Sequence, residues 1–195
     1  MGGEYVNDAG IFLVKTLFGV YIFAVLLRFL LQMVRADFYN PICQILVKVT
    51  NPALRPLRRI VPGFLGIDMA AVVLLLLLKT VELLIIQQLS GFSGDVAGLV
   101  VLGIAQLIKL VLDLFFFSIL IQVILSWVNP GTSHNPGVAL LHALNEPLMR
   151  PAKRVLPPMS GLDLSPLLVI IVLQLLTMLL VAPLNDLALK LLSGM

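Results

Sequence analysis

The 195-residue sequence is 60% hydrophobic and only 12% charged, with a mean hydropathy of +1.09. Soluble globular domains carry about 25% charged and about 45–50% apolar residues, so a chain of this length cannot bury its apolar surface in a core and needs lipid as a solvent. A net charge of +3, from 13 basic and 10 acidic residues, is too small for a nucleic-acid-binding surface, and the single Cys43 excludes an intrachain disulfide or a C-x-x-C site.

The first ten residues hold Glu4 and Asp8, and no basic residue precedes Lys15. A secretory leader needs a positive start and a small-residue cleavage site, so the first apolar segment is read as retained. About 20 apolar residues cross a bilayer as a helix. Ile11–Val34 is the first crossing and Met69–Leu89 the second, followed by a polar turn over Ser90–Asp95. Val96–Val128 is one apolar run of roughly 50 Å, which must tilt, protrude, or break near Gly98 or Gly103. Leu164–Ala182 is the fourth crossing; Pro183 ends it, leaving Leu184–Leu192 as a short helix at the interface.

The two remaining stretches repeat one another. A shift of 95 positions lays Asn51–Asp68 (NPALRPLRRIVPGFLGID) on Glu146–Asp163 (EPLMRPAKRVLPPMSGLD) without a gap. Pro52, Arg55, Pro56, Arg59, Pro62, Gly66 and Asp68 then meet identical residues, Arg58 meets Lys153, and Asn40–Pro41 meets Asn135–Pro136. An ungapped recurrence of this kind is the mark of an internal duplication, with copies over 1–95 and 96–195. Each copy reads as a spanning helix, a short interfacial helix, a basic Pro-rich loop and a second spanning helix. The short helix starts at an Asn N-cap followed by Pro. In the first copy Ile42, Ile45, Leu46 and Val49 form its apolar stripe, opposed by Gln44 and Lys48; Leu140, Leu141 and Leu144 do so in the second. Pro52 and Pro147 are expected to end it. Two crossings per copy put both basic loops on one side, and the positive-inside rule places that side in the cytoplasm and both termini outside.

The duplicated Pro-x-x-Arg-Pro-x-[Lys/Arg]-Arg-x-x-Pro stretch, with Gly-[Ile/Leu]-Asp before an apolar helix, resembles the YggT (YlmG) family of small bacterial and plastid membrane proteins. Asp163-Leu164-Ser165-Pro166 and Trp127 in the second copy are the closer match; the first copy departs with Asp68-Met69-Ala70-Ala71 and Gln32. The resemblance implies a bacterial inner (plasma) membrane protein. It also implies links to osmotic stress, to division-associated gene clusters and nucleoid distribution, and in plastids to haem attachment on a cytochrome b subunit. It supplies no catalytic residues.

Four groups of residues are candidates. Arg55, Arg58, Arg59 with Arg150, Lys153, Arg154 make paired cationic patches for anionic lipid or an acidic partner, each charge near an anionic leaflet being worth about 1 kcal/mol; the plainer role is to fix topology. Asp68 and Asp163 precede apolar spans as helix-start caps. Arg28, Lys79, Glu82, Lys109 and Asp113 lie within spans, where an unpaired charge costs at least about 2.5–3.5 kcal/mol. Lys79 and Glu82 are spaced to meet on one face, as are Lys109 and Asp113, as a polar clasp between helices or an ion path. His134 and His142 have no counterpart in the first copy, where Tyr39 and Val47 stand, and read as interfacial polar residues, not haem ligands. Cys43 reads as a small packing residue. No phosphate loop, metal-site spacing or nucleophile motif is present, so no enzyme, metal or cofactor is expected.

The sequence thus predicts an all-α membrane protein with four transmembrane helices from a duplicated two-helix unit. The expected function is a non-enzymatic accessory or assembly factor that contacts membrane-protein partners, a second copy of itself, or anionic lipids of the bilayer. The alternative is a small transport or channel-like component.

Overall fold

The computed structural model describes residues 2–91, 94–128, 135–156 and 163–193, and these are almost wholly helical. In chain order the elements are α1 (Gly2–Met33), α2 (Pro41–Ile60), α3 (Met69–Ser90), α4 (Val96–Val128), α5 (Pro136–Val155), α6 (Ser165–Leu176), a π-helical turn (Thr177–Val181) and α7 (Ala182–Ser193). Four segments are long and apolar enough to cross a membrane: Tyr5–Met33, Met69–Ser90, Val96–Val128 and Ser165–Ser193. The protein is a multi-pass membrane protein. Apolar side chains such as Phe12, Leu17, Val20, Leu167, Ile171 and Leu179 are exposed along these spans, as they must be where lipid is the neighbour.

Spanning helices form a row. The helix α3 packs on both α1 and α4, and α4 packs in turn on α6 and α7. At one end the row is closed by α2 and α5, which touch each other: Asn40 Nδ2 donates to the Pro136 carbonyl at 2.8 Å. The main apolar core sits there, joining Ile22, Leu26 and Leu31 of α1 and Leu54 of α2 to Leu74 of α3, Leu114 of α4 and Leu144 of α5. A second core joins α4 and α5 to the last span through Ile119, Met149, Val169 and Leu173.

One open alternative is decided and two expectations are corrected. First, α4 is one helix over 33 residues, unbroken at Gly98 or Gly103, which leaves tilt or protrusion to fit the long run. Gly98 instead lets α7 approach: a β-carbon added there would lie 2.7 Å from Leu192 Cγ and 2.9 Å from its backbone nitrogen. Secondly, Pro183 does not end the last span. A proline lacks the N–H that would bond four residues back and its ring crowds that carbonyl. The π-turn just before it, where Ala182 N–H bonds to the Thr177 carbonyl, absorbs the misfit and carries the helix on. Thirdly, α2 and α5 run through their prolines. Pro52 and Pro56 lie inside α2, Pro147 and Pro151 inside α5, so the basic residues expected on loops sit on helices. In each helix the two prolines are four apart and exposed, so the carbonyls they leave unbonded face one outer stripe where polar surroundings can satisfy them.

The chain bends sharply before α2. Met33 is followed by Arg35 at φ 56°, with Ala36 N–H bonding to the Leu31 carbonyl at 2.9 Å and Arg35 N–H to that of Gln32 at 3.1 Å. This is a Schellman closure made without glycine.

Candidate functional site

The interfacial helices begin as the sequence reading expects. Asn40 and Asn135 accept the N–H groups of Ile42 and Gly137, each at 2.9 Å, ahead of Pro41 and Pro136. The buried face of α2 is rotated from the expected stripe: Cys43, Thr50 and Leu54 are buried, whereas Ile42, Ile45 and Val49 are exposed and left for lipid. In α5, Leu140 and Leu144 are buried as expected. Cys43 is wholly enclosed, and its burial, aided by Asp37, pushes the thiol above its ordinary range, so it packs and does not react.

A polar side chain at the same repeat position fastens each interfacial helix. Thr50 accepts from Arg28 Nη1 at 2.6 Å and donates to the Leu46 carbonyl at 2.6 Å. Arg28 Nη1 also donates to Asn51 Oδ1 at 2.9 Å and reaches the Val47 carbonyl at 3.4 Å, in the turn that Pro52 weakens. The repeat partner of Thr50 is Asn145, wholly buried, which accepts from the Ser118 hydroxyl and donates to Gln122 Oε1 at 2.7 Å. Gln122 Nε2 lies 3.0 Å from His142 Nδ1, placing that histidine in a hydrogen-bonded group; His134 lies outside the described residues. The sequence reading missed Thr50, Asn145, Ser118 and Gln122. The available signal was a polar residue at matching positions within an otherwise apolar helical face.

The duplication also repeats an ion pair. Arg58 Nε donates to Asp68 Oδ2 at 3.1 Å, and Lys153 Nζ lies 3.6 Å from Asp163 Oδ2. Arg58 Nη2 further donates to Gln32 Oε1 at 3.3 Å. Asp68 caps α3 by accepting the Ala71 N–H at 3.3 Å. Asp163 stands one residue outside the N-cap position of α6, because Pro166 has no N–H where Ala71 supplies one; it accepts the Ser165 N–H at 2.9 Å and the Ser165 hydroxyl instead. Burial pushes the Asp163 carboxyl up, but the two Ser165 bonds and Lys153 outweigh it and hold it below the usual carboxylate range.

These pairs divide the six basic candidates. Arg58 and Lys153 serve the next helix, and Arg150 pairs along α5 with Glu146 at 3.2 Å. Arg55, Arg59 and Arg154 are exposed and without an acidic partner among the described residues. With exposed Lys48 they make a cationic outer face on a two-helix platform.

The intramembrane charges gather elsewhere. Lys79 pairs with Glu82 at 2.8 Å and Lys109 with Asp113 at 2.6 Å, each within its own helix and not across the two copies. Both pairs line one cleft of about 590 Å³, walled by Lys15 and Gly19 of α1, by α3, and by Gln106 to Asp113 of α4. Arg28 does not belong to it. Among the described residues no cluster of His, Cys, Asp and Glu could hold a metal ion.

The family model CCB3/YggT matches residues 8–89 and again 101–184, one match per copy. The chain is 46% identical to the uncharacterised protein PA0392 of Pseudomonas aeruginosa over 184 residues, 93% of this chain and 91% of that one. It is 45% identical to an uncharacterised protein of Vibrio alginolyticus over 84% of this chain and 88% of that one. It is 35% identical to the uncharacterised protein YggT of Escherichia coli K12 over 86% of each. No solved structure matches. Two tandem matches on a duplicated four-span chain leave one conclusion: this protein belongs to the CCB3/YggT family.

Proposed function

We propose that this protein is a non-enzymatic accessory or assembly factor of the bacterial inner membrane. Its contact surface is the cationic face of α2 and α5, and it holds an acidic membrane-protein partner or anionic lipid headgroups. The observation that carries this reading is the division of labour among the basic residues. Arg58 and Lys153 are spent on pairs with Asp68 and Asp163, yet Arg55, Arg59 and Arg154 are presented outward without a partner among the described residues. They stand on helices anchored from beneath by Leu54, Thr50, Leu144 and Asn145. Rigid mounting lowers the entropy lost when such side chains bind. The positive-inside rule puts this face in the cytoplasm, where anionic lipid adds about 1 kcal/mol per charge.

The test is crosslinking in native membranes with mass spectrometry, comparing the parent with a variant carrying Gln at Arg55, Arg59, Arg150 and Arg154. A defined partner or anionic lipid recovered with the parent and lost with the variant is the expected outcome. Recovery unchanged by the substitutions would sink the reading.

A transport or channel-like role in ion or osmotic homeostasis is the second reading, favoured by the charged cleft between α1, α3 and α4. A row of helices does not enclose a pore, so this role needs an oligomer. It requires liposome flux that disappears with Glu82→Gln or Asp113→Asn.

A further inference from the structure

The cleft holds five charged side chains within spanning helices, and none of them recurs at its repeat position. At the shift of 95, Lys15, Lys79 and Glu82 correspond to Leu110, Gln174 and Thr177, and Lys109 and Asp113 to Val14 and Phe18. None of the five is charged at its repeat position, so the duplicated fold does not itself require charge at these points.

The charges also do not balance. Lys79 is matched by Glu82 and Lys109 by Asp113. Lys15 is exposed, lines the cleft and has no acidic partner among the described residues. One positive charge is left over in a low-dielectric setting, where an ion without a counter-charge is strongly disfavoured. The complement is a single negative charge.

Geometry limits where that charge comes from. The helix α3 forms the back wall, with Lys79, Glu82, Leu83 and Ile86, while α1 and α4 form the sides. Among the described residues no helix lines the side opposite α3, and beside a row of spanning helices that side is where lipid would lie. Ile22, Leu83, Ile86, Leu107 and Leu110 give the cleft apolar walls around its charges. A second copy of this cleft carries the same surplus positive charge and does not supply the missing negative one. We propose that the cleft docks a transmembrane helix of another protein that carries one carboxylate near mid-span, with Lys15 as its ionic partner. This rests on the accessory-factor reading and gives the partner a chemistry.

The test uses the full-length protein with a donor fluorophore, in vesicles of phosphatidylcholine alone. The probes are acceptor-labelled Leu/Ala transmembrane peptides of about 20 residues, identical except for Glu, Gln or Lys at the centre. Energy transfer should show the Glu peptide bound about tenfold more tightly than the other two, a difference of about 1.4 kcal/mol. Lys15→Met should remove the discrimination and Lys15→Arg should keep it; the exposure of Lys15 makes both compatible with folding. Equal binding of all three peptides, or discrimination surviving Lys15→Met, would overturn the proposal. So would saturable oleate binding that depends on Lys15 without discrimination among peptides, which would assign the cleft to a small amphiphilic anion. Neutral lipid and peptides without soluble segments give the cationic platform nothing to bind, so failure here leaves that reading standing.

Discussion

At position 50 and its repeat partner 145 the two copies solve one problem with different atoms. An interfacial helix must be fixed to a spanning helix in surroundings too dry for stray polar groups, so every donor brought in needs an acceptor. In the first copy the spanning helix supplies the donor, Arg28, and Thr50 and Asn51 accept. In the second the interfacial helix supplies Asn145, and Ser118 and Gln122 answer it. Removing either hub strands its partners. Arg28→Met is expected to cost about 2–3 kcal/mol, as a charged donor with several acceptors, and Asn145→Leu about 1–3 kcal/mol. The groups share no member, so the double variant should lose nearly the sum. Unfolding of the detergent-solubilised protein measures all three; a strongly sub-additive double variant would show instead that the two interfacial helices come away as one unit. Arg28 was legible as a buried charge because arginine inside a span is conspicuous. Its partners were not, because threonine and asparagine in an amphipathic stretch look the same whether they face water or a buried guanidinium.

At the scale of elements, spanning segments were readable because lipid demands continuous apolar runs, and the duplication was readable because its spacing is ungapped. Extents failed wherever proline was taken as a stop. Pro52, Pro56, Pro147 and Pro151 persist within helices because each helix's prolines share an exposed stripe, while the opposite face is held by buried Leu54 or its repeat partner Met149. Pro183 persists because a π-turn precedes it. Neither device has a local sequence signature; both depend on what packs on the other side. Gly98 shows the same dependence. Weighed in the sequence as one candidate break in α4, it is instead a place where α7 comes close. Gly98→Val should therefore destabilise by about 1–3 kcal/mol through overpacking, measured as a fall in detergent unfolding midpoint. Trimming the opposing side chain with Leu192→Ala should recover only part of that loss, because the backbone nitrogen of Leu192 is itself 2.9 Å from the added carbon. Full recovery would mean that the side chain alone sets the approach.

For the molecule as a whole, two parallel copies place α2 and α5 against each other at one end of the helix row. The cationic face is thus shared between repeats, and the charged cleft lies between helices of both. The sequence could show that both basic stretches lie on one side, since each copy crosses twice. It could not show that they touch, nor that Lys15 and Asp113, far apart in the chain, line one cleft. Single cysteines at Arg59 and Arg154 should therefore both react with an impermeant maleimide from one side of the membrane, and a cysteine at Asp95, in the turn between α3 and α4, from the other. Native Cys43 supplies an internal control: it is enclosed in the core with its thiol held in the protonated form, and should stay unlabelled until the protein is unfolded. Labelling in intact cells against permeabilised cells fixes the absolute orientation, with Arg59→Cys and Arg154→Cys expected to need permeabilisation if the platform is cytoplasmic. Labelling of those two from opposite sides would break the parallel duplication, and with it the single shared platform on which the accessory role depends.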